Sequence, residues 1–170
     1  MWYFFWGFLF IFIDFSLTLP TGGSVNLMPS FLGFALLLLG ARQTESENEH
    51  FHRILLASVA ALLISAAQFV FAIFAFSAVE LVLFILSTAA ALYITYEFTE
   101  GAKKIERSRY KKFGTDKLST AWIILCMTAL LGFLVPFMPT ISLTQMLVHL
   151  LALTWFETSV YSFIRALQGR

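Results

Sequence analysis

Charged residues are scarce in this chain of 170 residues. They make up 12% of the sequence, whereas hydrophobic residues make up 59% and phenylalanine alone contributes 20 positions. A soluble domain carries about 25% charged residues, so this composition is typical of an integral membrane protein. The formal net charge of +1 gives no reason to expect a nucleic-acid partner, and the length is that of a single domain, residues 1–170.

Cysteine and the signatures of catalytic sites are also scarce. The lone Cys126 lies in an apolar run, which excludes a disulfide framework or a cysteine-based metal site. The sequence contains no HExxH or GxSxG pattern and no Gly-rich phosphate loop, so an enzyme is the least favoured class and no cofactor is implied. His50 and His52 lie in an acidic segment whose spacing lacks the fixed geometry of a metal site, and we interpret this segment as a solvated loop.

Six apolar segments approach the length of about 20 residues that a membrane-spanning helix needs. They run from Trp2 to Pro20, Val25 to Ala41, Ile54 to Phe76, Val79 to Phe98, Thr120 to Phe137 and Ile141 to Ile164. Gly22 and Gly23 predict a turn between the first two, and Pro136 and Pro139 separate the last two. The first segment lacks a positive n-region and carries Asp14, so we interpret it as a retained helix and not as a signal peptide. The predicted fold class is therefore an all-α membrane bundle of six helices in three antiparallel hairpins.

The 11 Lys and Arg residues can all be placed on one side of the membrane. They form clusters at 42–53, 103–117 and 165–170, which long apolar stretches separate. Because Lys and Arg concentrate in cytoplasmic loops, we expect both termini in the cytoplasm and a multi-pass protein whose main partner is the lipid bilayer. The cluster at 103–117 could also attract anionic lipid headgroups, although a topology signal alone would explain it.

Polar side chains inside the spans are the main clue to function, because a charged one costs about 2.5 to 3.5 kcal/mol to insert. Six of them fall in the exterior half of the predicted bundle, with Asp14 and His149 at a similar depth: Asp14, Asn26, Gln68, Glu80, Gln145 and His149. Gln145 and His149 are four residues apart and should share a helix face. We interpret the six as a ligand or proton site in which Asp14 and His149 form a titrating pair. The alternative is that they are interhelical hydrogen bonds.

A second polar group lies near the expected cytoplasmic end of the last span, where Glu157, Tyr161 and Arg165 follow at four-residue intervals. They could form a proton exit, but the favoured interpretation pairs Glu157 with Arg165 or with the basic loop. Glu97 and Glu100 are interpreted in the same way, as part of an interfacial ladder of charges at the end of the fourth span.

The first hairpin carries Asp14 late in its first span, then Pro29, Phe31 and Gly33 at the start of the second, and Gly40 at its end. This pattern resembles small uncharacterised bacterial membrane proteins with a Leu-Pro-x-Phe-x-Gly-like second span. The resemblance covers about a quarter of the chain. It implies a bacterial inner membrane location and no particular function.

The size and the six spans also resemble the substrate-binding subunits of energy-coupling-factor vitamin transporters. The small-residue stripe at 57–67 lies in the third span, however, whereas those subunits carry theirs in the first. The leading hypothesis is a protein that binds or transports a small solute or ion through the exterior polar layer. The alternative is an accessory or assembly subunit, in a homo-oligomer or beside another membrane protein, whose stripes at 57–67 and 87–91 pack against that partner.

Overall fold

The computed structural model describes residues 1–13, 16–18, 24–26, 29–73, 77–110, 112–133 and 142–169, and for 16–18, 24–26, 72–73, 77–78, 80 and 142 it describes the backbone alone. These residues form six helices and one short antiparallel hairpin. The helices are α1 (Trp2–Phe12), α2 (Ser30–Thr44), α3 (Glu49–Ile73), α4 (Ser77–Ser108), α5 (Thr115–Gly132) and α6 (Ser142–Leu167), and the hairpin joins β1 (Ser16–Thr18) to β2 (Ser24–Asn26). The predicted helical architecture is confirmed for this part of the chain.

Three of these helices are long and apolar enough to cross a membrane: α3 over Glu49–Phe71, α4 over Leu81–Ser108 and α6 over Leu143–Leu167. Helix α1 is apolar but shorter. Its 11 residues extend about 17 Å, against a hydrocarbon core of about 30 Å. The structure thus supports a membrane protein, and the six-span arrangement stays a prediction.

The predicted boundaries of the first two spans are wrong. Helix α1 ends at Phe12, and Ser16 pairs with Asn26 in the hairpin, where the hydropathy pattern had predicted a helix as far as Pro20. Ser and Thr side chains compete for backbone hydrogen bonds and lower the preference for helix. Mean hydropathy does not include this effect. Helix α2 begins only at Ser30, after Pro29 in an extended conformation.

The polar ends of α3 and α4 are helical too, which hydropathy alone did not predict. Asn48 Oδ1 accepts the backbone N–H of His50 at 3.0 Å and so caps the N-terminus of α3. Helix α3 therefore begins at Glu49 and not at Ile54. Helix α4 continues ten residues beyond Phe98, to Ser108, through residues that are mostly good helix formers.

The chain divides into two compact units, Met1–Gly101 and Ala102–Arg170. Aromatic rings form the core of the first unit: Phe4, Phe8, Phe51 and Phe98 are each fully buried. The ring centroids of Phe4 and Phe98 are 4.9 Å apart, those of Phe4 and Phe51 are 5.6 Å apart, and those of Phe8 and Phe98 are 5.3 Å apart. These contacts join α1 to α3 and α4 at one end of the unit.

Helices α1 and α2 cross at a pair of glycines. A Cβ atom on Gly33 would lie 2.7 Å from the carbonyl oxygen of Gly7 and 2.6 Å from Ile11 Cγ1, closer than such atoms pack. The sequence-based expectation that Gly33 lets another backbone approach is confirmed.

In the second unit, α5 packs against α6, and a turn precedes α5. The Phe113 ring in this turn lies edge-on to Phe163 of α6, with centroids 6.1 Å apart. The Glu106 carboxylate accepts the backbone N–H groups of Phe113 at 2.8 Å and Thr115 at 3.2 Å. Glu106 thus supplies partners for N–H groups that the start of a helix leaves unsatisfied.

Candidate functional site

The first unit contains a buried carboxylate surrounded by polar partners, which we name the Glu97 cluster: His50, Arg53, Tyr93 and Glu97. Glu97 is only 2% exposed. His50 Nδ1 lies 2.7 Å from Glu97 Oε2, Arg53 Nη1 lies 3.7 Å from Glu97 Oε1, and the Tyr93 hydroxyl is hydrogen-bonded to the same carboxylate. The carboxylate therefore joins the first turns of α3 to the middle of α4.

Local structure explains why these side chains meet. Asn48 caps α3 and its Nδ2 also donates to the carbonyl oxygen of Gly101 in α4 at 3.2 Å, which fixes the start of α3 beside α4. His50 and Arg53 are three residues apart, and Tyr93 and Glu97 are four apart, so each pair shares a helix face.

The chemistry of this cluster follows from its hydrogen bonds. An ionised carboxylate only accepts, so Nδ1 of His50 donates to Glu97. Carboxylates commonly orient histidine rings in this way. The interpretation of residues 45–53 as a solvated loop is wrong for His50, which is largely buried. His52 is exposed as expected and its Nδ1 pairs with the exposed Glu45 at 2.6 Å, but it belongs to helix α3 and not to a loop.

Among the described residues, no group of three or more His, Cys, Asp or Glu side chains is placed to hold a metal ion.

Gln145 and His149 of the expected exterior layer converge on one residue of α5. Gln145 Nε2 donates to the carbonyl oxygen of Thr128 at 3.2 Å, and His149 Nδ1 lies 3.0 Å from the Thr128 hydroxyl. That hydroxyl donates to Leu125 O at 3.0 Å, so the histidine nitrogen is the donor in the contact with Thr128. The prediction that Gln145 and His149 share a helix face is confirmed, and both take part in hydrogen bonds between helices.

The other members of the exterior layer are less completely placed. Gln68 is a half-buried residue of α3. Asn26 pairs with Ser16 in the hairpin, and Glu80 belongs to the first turn of α4, but their side chains, like the whole of Asp14, lie outside the described part of the chain. The proposed pair of Asp14 and His149 therefore stays a prediction.

Glu157 is the most unusual polar group of the structure. It is 6% exposed, and neither carboxylate oxygen has a hydrogen-bond partner among the described residues. The favoured ion pair with Arg165 is not formed, and Arg165 and Tyr161 are exposed along α6. Glu157 lies only two residues from the midpoint of the span Leu143–Leu167, which is about 3 Å along the axis. Glu157 is therefore close to the midpoint of this apolar helix, and its predicted location near the cytoplasmic end of the span stays a prediction.

The sequence identified Glu157 as a polar residue of the last span but did not predict that its carboxylate lacks a hydrogen-bond partner. It missed the Glu97 cluster because His50 and Glu97 are 47 residues apart and each lies at the polar margin of a span. The one signal available in the sequence was that His50 follows Asn48, a residue that can cap a helix, by two positions.

No protein-family model matches this chain, and neither a curated protein nor a solved structure matches it.

Proposed function

We propose that this protein binds and moves a small cation, or a small solute coupled to a proton, across a membrane, with Glu157 as the group that takes up the cation or proton. The observation that carries the proposal is the buried carboxylate of Glu157, without a hydrogen-bond partner, close to the midpoint of an apolar helix. A buried ion without a partner is strongly destabilising. Ionisable groups inside a span usually mark a pathway for ions or protons.

Two further features support a pathway along α6. Gln145 and His149 lie on the same helix as Glu157, and both hydrogen-bond to Thr128 of α5. The ligand or proton site predicted from the sequence, which also includes Asp14, Asn26, Gln68 and Glu80, remains a separate hypothesis. We place the protein as a six-span, multi-pass protein of the bacterial inner membrane, with the basic clusters in the cytoplasm.

The exchange of Glu157 for Gln tests this function. In proteoliposomes under a potassium diffusion potential, the wild-type protein should move protons or Na⁺ faster than protein-free liposomes. The Glu157→Gln variant should fall to the rate of the empty liposomes, because an amide cannot take up a proton or neutralise a cation. An internal pH dye and a Na⁺ dye, read in parallel, identify the ion.

Stability separates this role from a structural one. Removing a buried charge that has no partner should leave the thermal unfolding midpoint unchanged or raise it, whereas the loss of a structural strut would lower it. Glu47→Gln, in the exposed turn before α3, is the matched control and should retain full flux. A wild-type rate equal to that of empty liposomes, or an unchanged rate in Glu157→Gln, would contradict the proposal.

The alternative function is an accessory subunit of a larger membrane complex. Its main support was the pair of small-residue stripes, which could have packed against a partner. In the structure Ser58, Ala61 and Ser65 of α3 and Ser87 and Ala91 of α4 are buried within the chain. This burial favours packing of these five residues within the protein, whereas Ala60 and Ala89 of the same stripes are exposed. Transport is the better supported function because of the buried carboxylate of Glu157.

The proposed topology predicts opposite labelling of two introduced cysteines. In a Cys126→Ala background, Gly23→Cys should react with an impermeant maleimide on intact cells, because the turn between the first two helices faces outward. Ser108→Cys, at the exposed end of α4, should react only after the cells are permeabilised. Labelling of both positions from the same side would contradict the arrangement.

A further inference from the structure

The turn between α4 and α5 combines a high positive charge with an unusual exposed aromatic residue. Between Arg107 and Lys117 the sequence contains five Lys or Arg residues and one carboxylate, Asp116, which gives a net charge of +4. Arg107, Lys112 and Lys117 are exposed. We name residues 107–117 the basic turn.

Tyr110 is 97% exposed and has a backbone φ of 49°. This left-handed conformation follows the last turn of α4, a position where helices usually place glycine. A residue with a side chain is strained there, by about 1 to 3 kcal/mol. The exposed ring gains no packing within the protein that could offset this strain, so the aromatic side chain points to a partner outside the chain.

The basic turn is held in a defined shape from inside the second unit. The Glu106 carboxylate accepts two backbone N–H groups of the turn, and the buried Phe113 ring packs against Phe163. The negative charge of Glu106 is thus directed at the backbone. The side chains of Arg107 and Lys112 lie on the exposed surface, on either side of Tyr110.

The position of the basic turn suggests which partner these cations meet. It follows α4 and contacts the last turns of α6, and both helices are long and apolar enough to cross a membrane. The cations are therefore held near the boundary of the bilayer. Tyrosine side chains favour the same headgroup region because they combine an apolar ring with a polar hydroxyl.

We propose that the basic turn binds the phosphate groups of anionic phospholipids in the leaflet next to it, with Arg107 and Lys112 as phosphate ligands and Tyr110 in the headgroup layer. The site uses exposed cations and does not depend on Glu157 or on ion transport. Each cation near an anionic membrane surface contributes about fivefold to the association constant.

The experiment compares the full-length protein in neutral phosphatidylcholine nanodiscs with the same protein in nanodiscs that also contain phosphatidylglycerol. Binding of phosphatidylglycerol is read by native mass spectrometry after release into detergent, and its effect by the thermal unfolding midpoint. The double variant Arg107→Gln/Lys112→Gln should bind this lipid about 25-fold more weakly than wild type. The control Arg42→Gln/Arg165→Gln removes two exposed cations from the ends of α2 and α6, outside the basic turn, and should weaken binding clearly less than the double variant of the turn.

Two further arms define the ligand and the role of Tyr110. Inorganic phosphate, added to protein in neutral detergent, should not raise the unfolding midpoint; if it does so as well as the lipid, the site binds free anions and the proposal is wrong. Tyr110→Gly should keep or raise the midpoint in neutral detergent, because the strain is removed, and should bind phosphatidylglycerol less well. Equal lipid binding by the two double variants would overturn the proposal. It would instead favour an acidic protein as the partner of the cations in the basic turn.

Discussion

His50→Ala should lower the free energy of unfolding by about 2 to 3 kcal/mol. The side chain of Glu97 is only 3% exposed, and His50 supplies its shortest contact, at 2.7 Å. Without the imidazole, the carboxylate keeps the Tyr93 hydroxyl and Arg53 at 3.7 Å, a distance beyond a hydrogen bond. A buried charge that loses a hydrogen-bond partner is costly, and the remaining contacts offset only part of that cost. Unfolding in mixed micelles, followed by circular dichroism, measures the change.

The matched control is His52→Ala, in the same turn of α3. His52 also contacts a carboxylate, at 2.6 Å, but here the side chains of His52 and Glu45 are 53% and 42% exposed. Pairs of this kind contribute about 0 to 1 kcal/mol, so the control should unfold almost as wild type does. Equal destabilisation by the two histidine variants would show that burial of Glu97 does not decide the effect.

A second variant separates the charge of Glu97 from its shape. Glu97→Gln retains an acceptor for His50 and buries no charge, so we expect a loss of only about 1 kcal/mol. Added to His50→Ala, it should restore part of the lost stability, because the amide that remains is neutral. The two substitutions are therefore expected to be non-additive, as residues in direct contact usually are.

The sequence predicted those parts of the fold that depend on the length of apolar runs. The predicted spans agree with helices α3, α4 and α6 to within a few residues at one or both ends. This agreement is expected because the length of a membrane helix is determined mainly by the length of its apolar segment. The shared face of Gln145 and His149 followed from helical periodicity alone. The close approach at Gly33 followed from the absence of a side chain.

The parts that the sequence did not predict depend on short-range polar contacts or on contacts between distant residues. The strands Ser16–Thr18 and Ser24–Asn26 flank the predicted turn at Gly22 and Gly23, where the apolar pattern predicted the ends of two helices. Glu97 is buried only because the cap at Asn48 places His50 beside it, across 47 positions of the chain. Hydropathy assigns both residues to a solvated margin, since it contains no information on which helices are neighbours.

Gly33→Ala should destabilise the first unit and push α1 and α2 apart. The added Cβ would lie 2.7 Å from the Gly7 carbonyl oxygen and 3.0 Å from the backbone nitrogen of Ile11, so the conflict is with backbone that cannot rotate away. Overpacking of this kind costs about 1 to 3 kcal/mol. The gain of about 1 kcal/mol in helix propensity from Gly to Ala opposes it and is too small to cancel the upper part of that range.

Gly40→Ala is the matched control, two turns further along α2. There the nearest atoms to the new Cβ are Tyr3 Cβ and Phe4 Cε2, each at 3.2 Å, so a shift of a few tenths of an ångström accommodates it, whereas the 2.7 Å contact at Gly33 requires a larger one. We expect a change near zero in the unfolding midpoint for this variant and a clear decrease for Gly33→Ala. The reverse order would contradict the packing of α1 on α2 described above.

A disulfide measures the separation of the two helices directly. A Cβ on Gly40 would lie 3.2 Å from Tyr3 Cβ, close to the Cβ separation of about 3.5 to 4.5 Å that a disulfide requires. Tyr3→Cys with Gly40→Cys, in a Cys126→Ala background, should therefore cross-link on mild oxidation. Adding Gly33→Ala should reduce the extent of cross-linking, because the clash at Gly7 moves the helices apart. Unchanged cross-linking together with a lower unfolding midpoint would show that Gly33→Ala destabilises α2 itself and does not change its contact with α1.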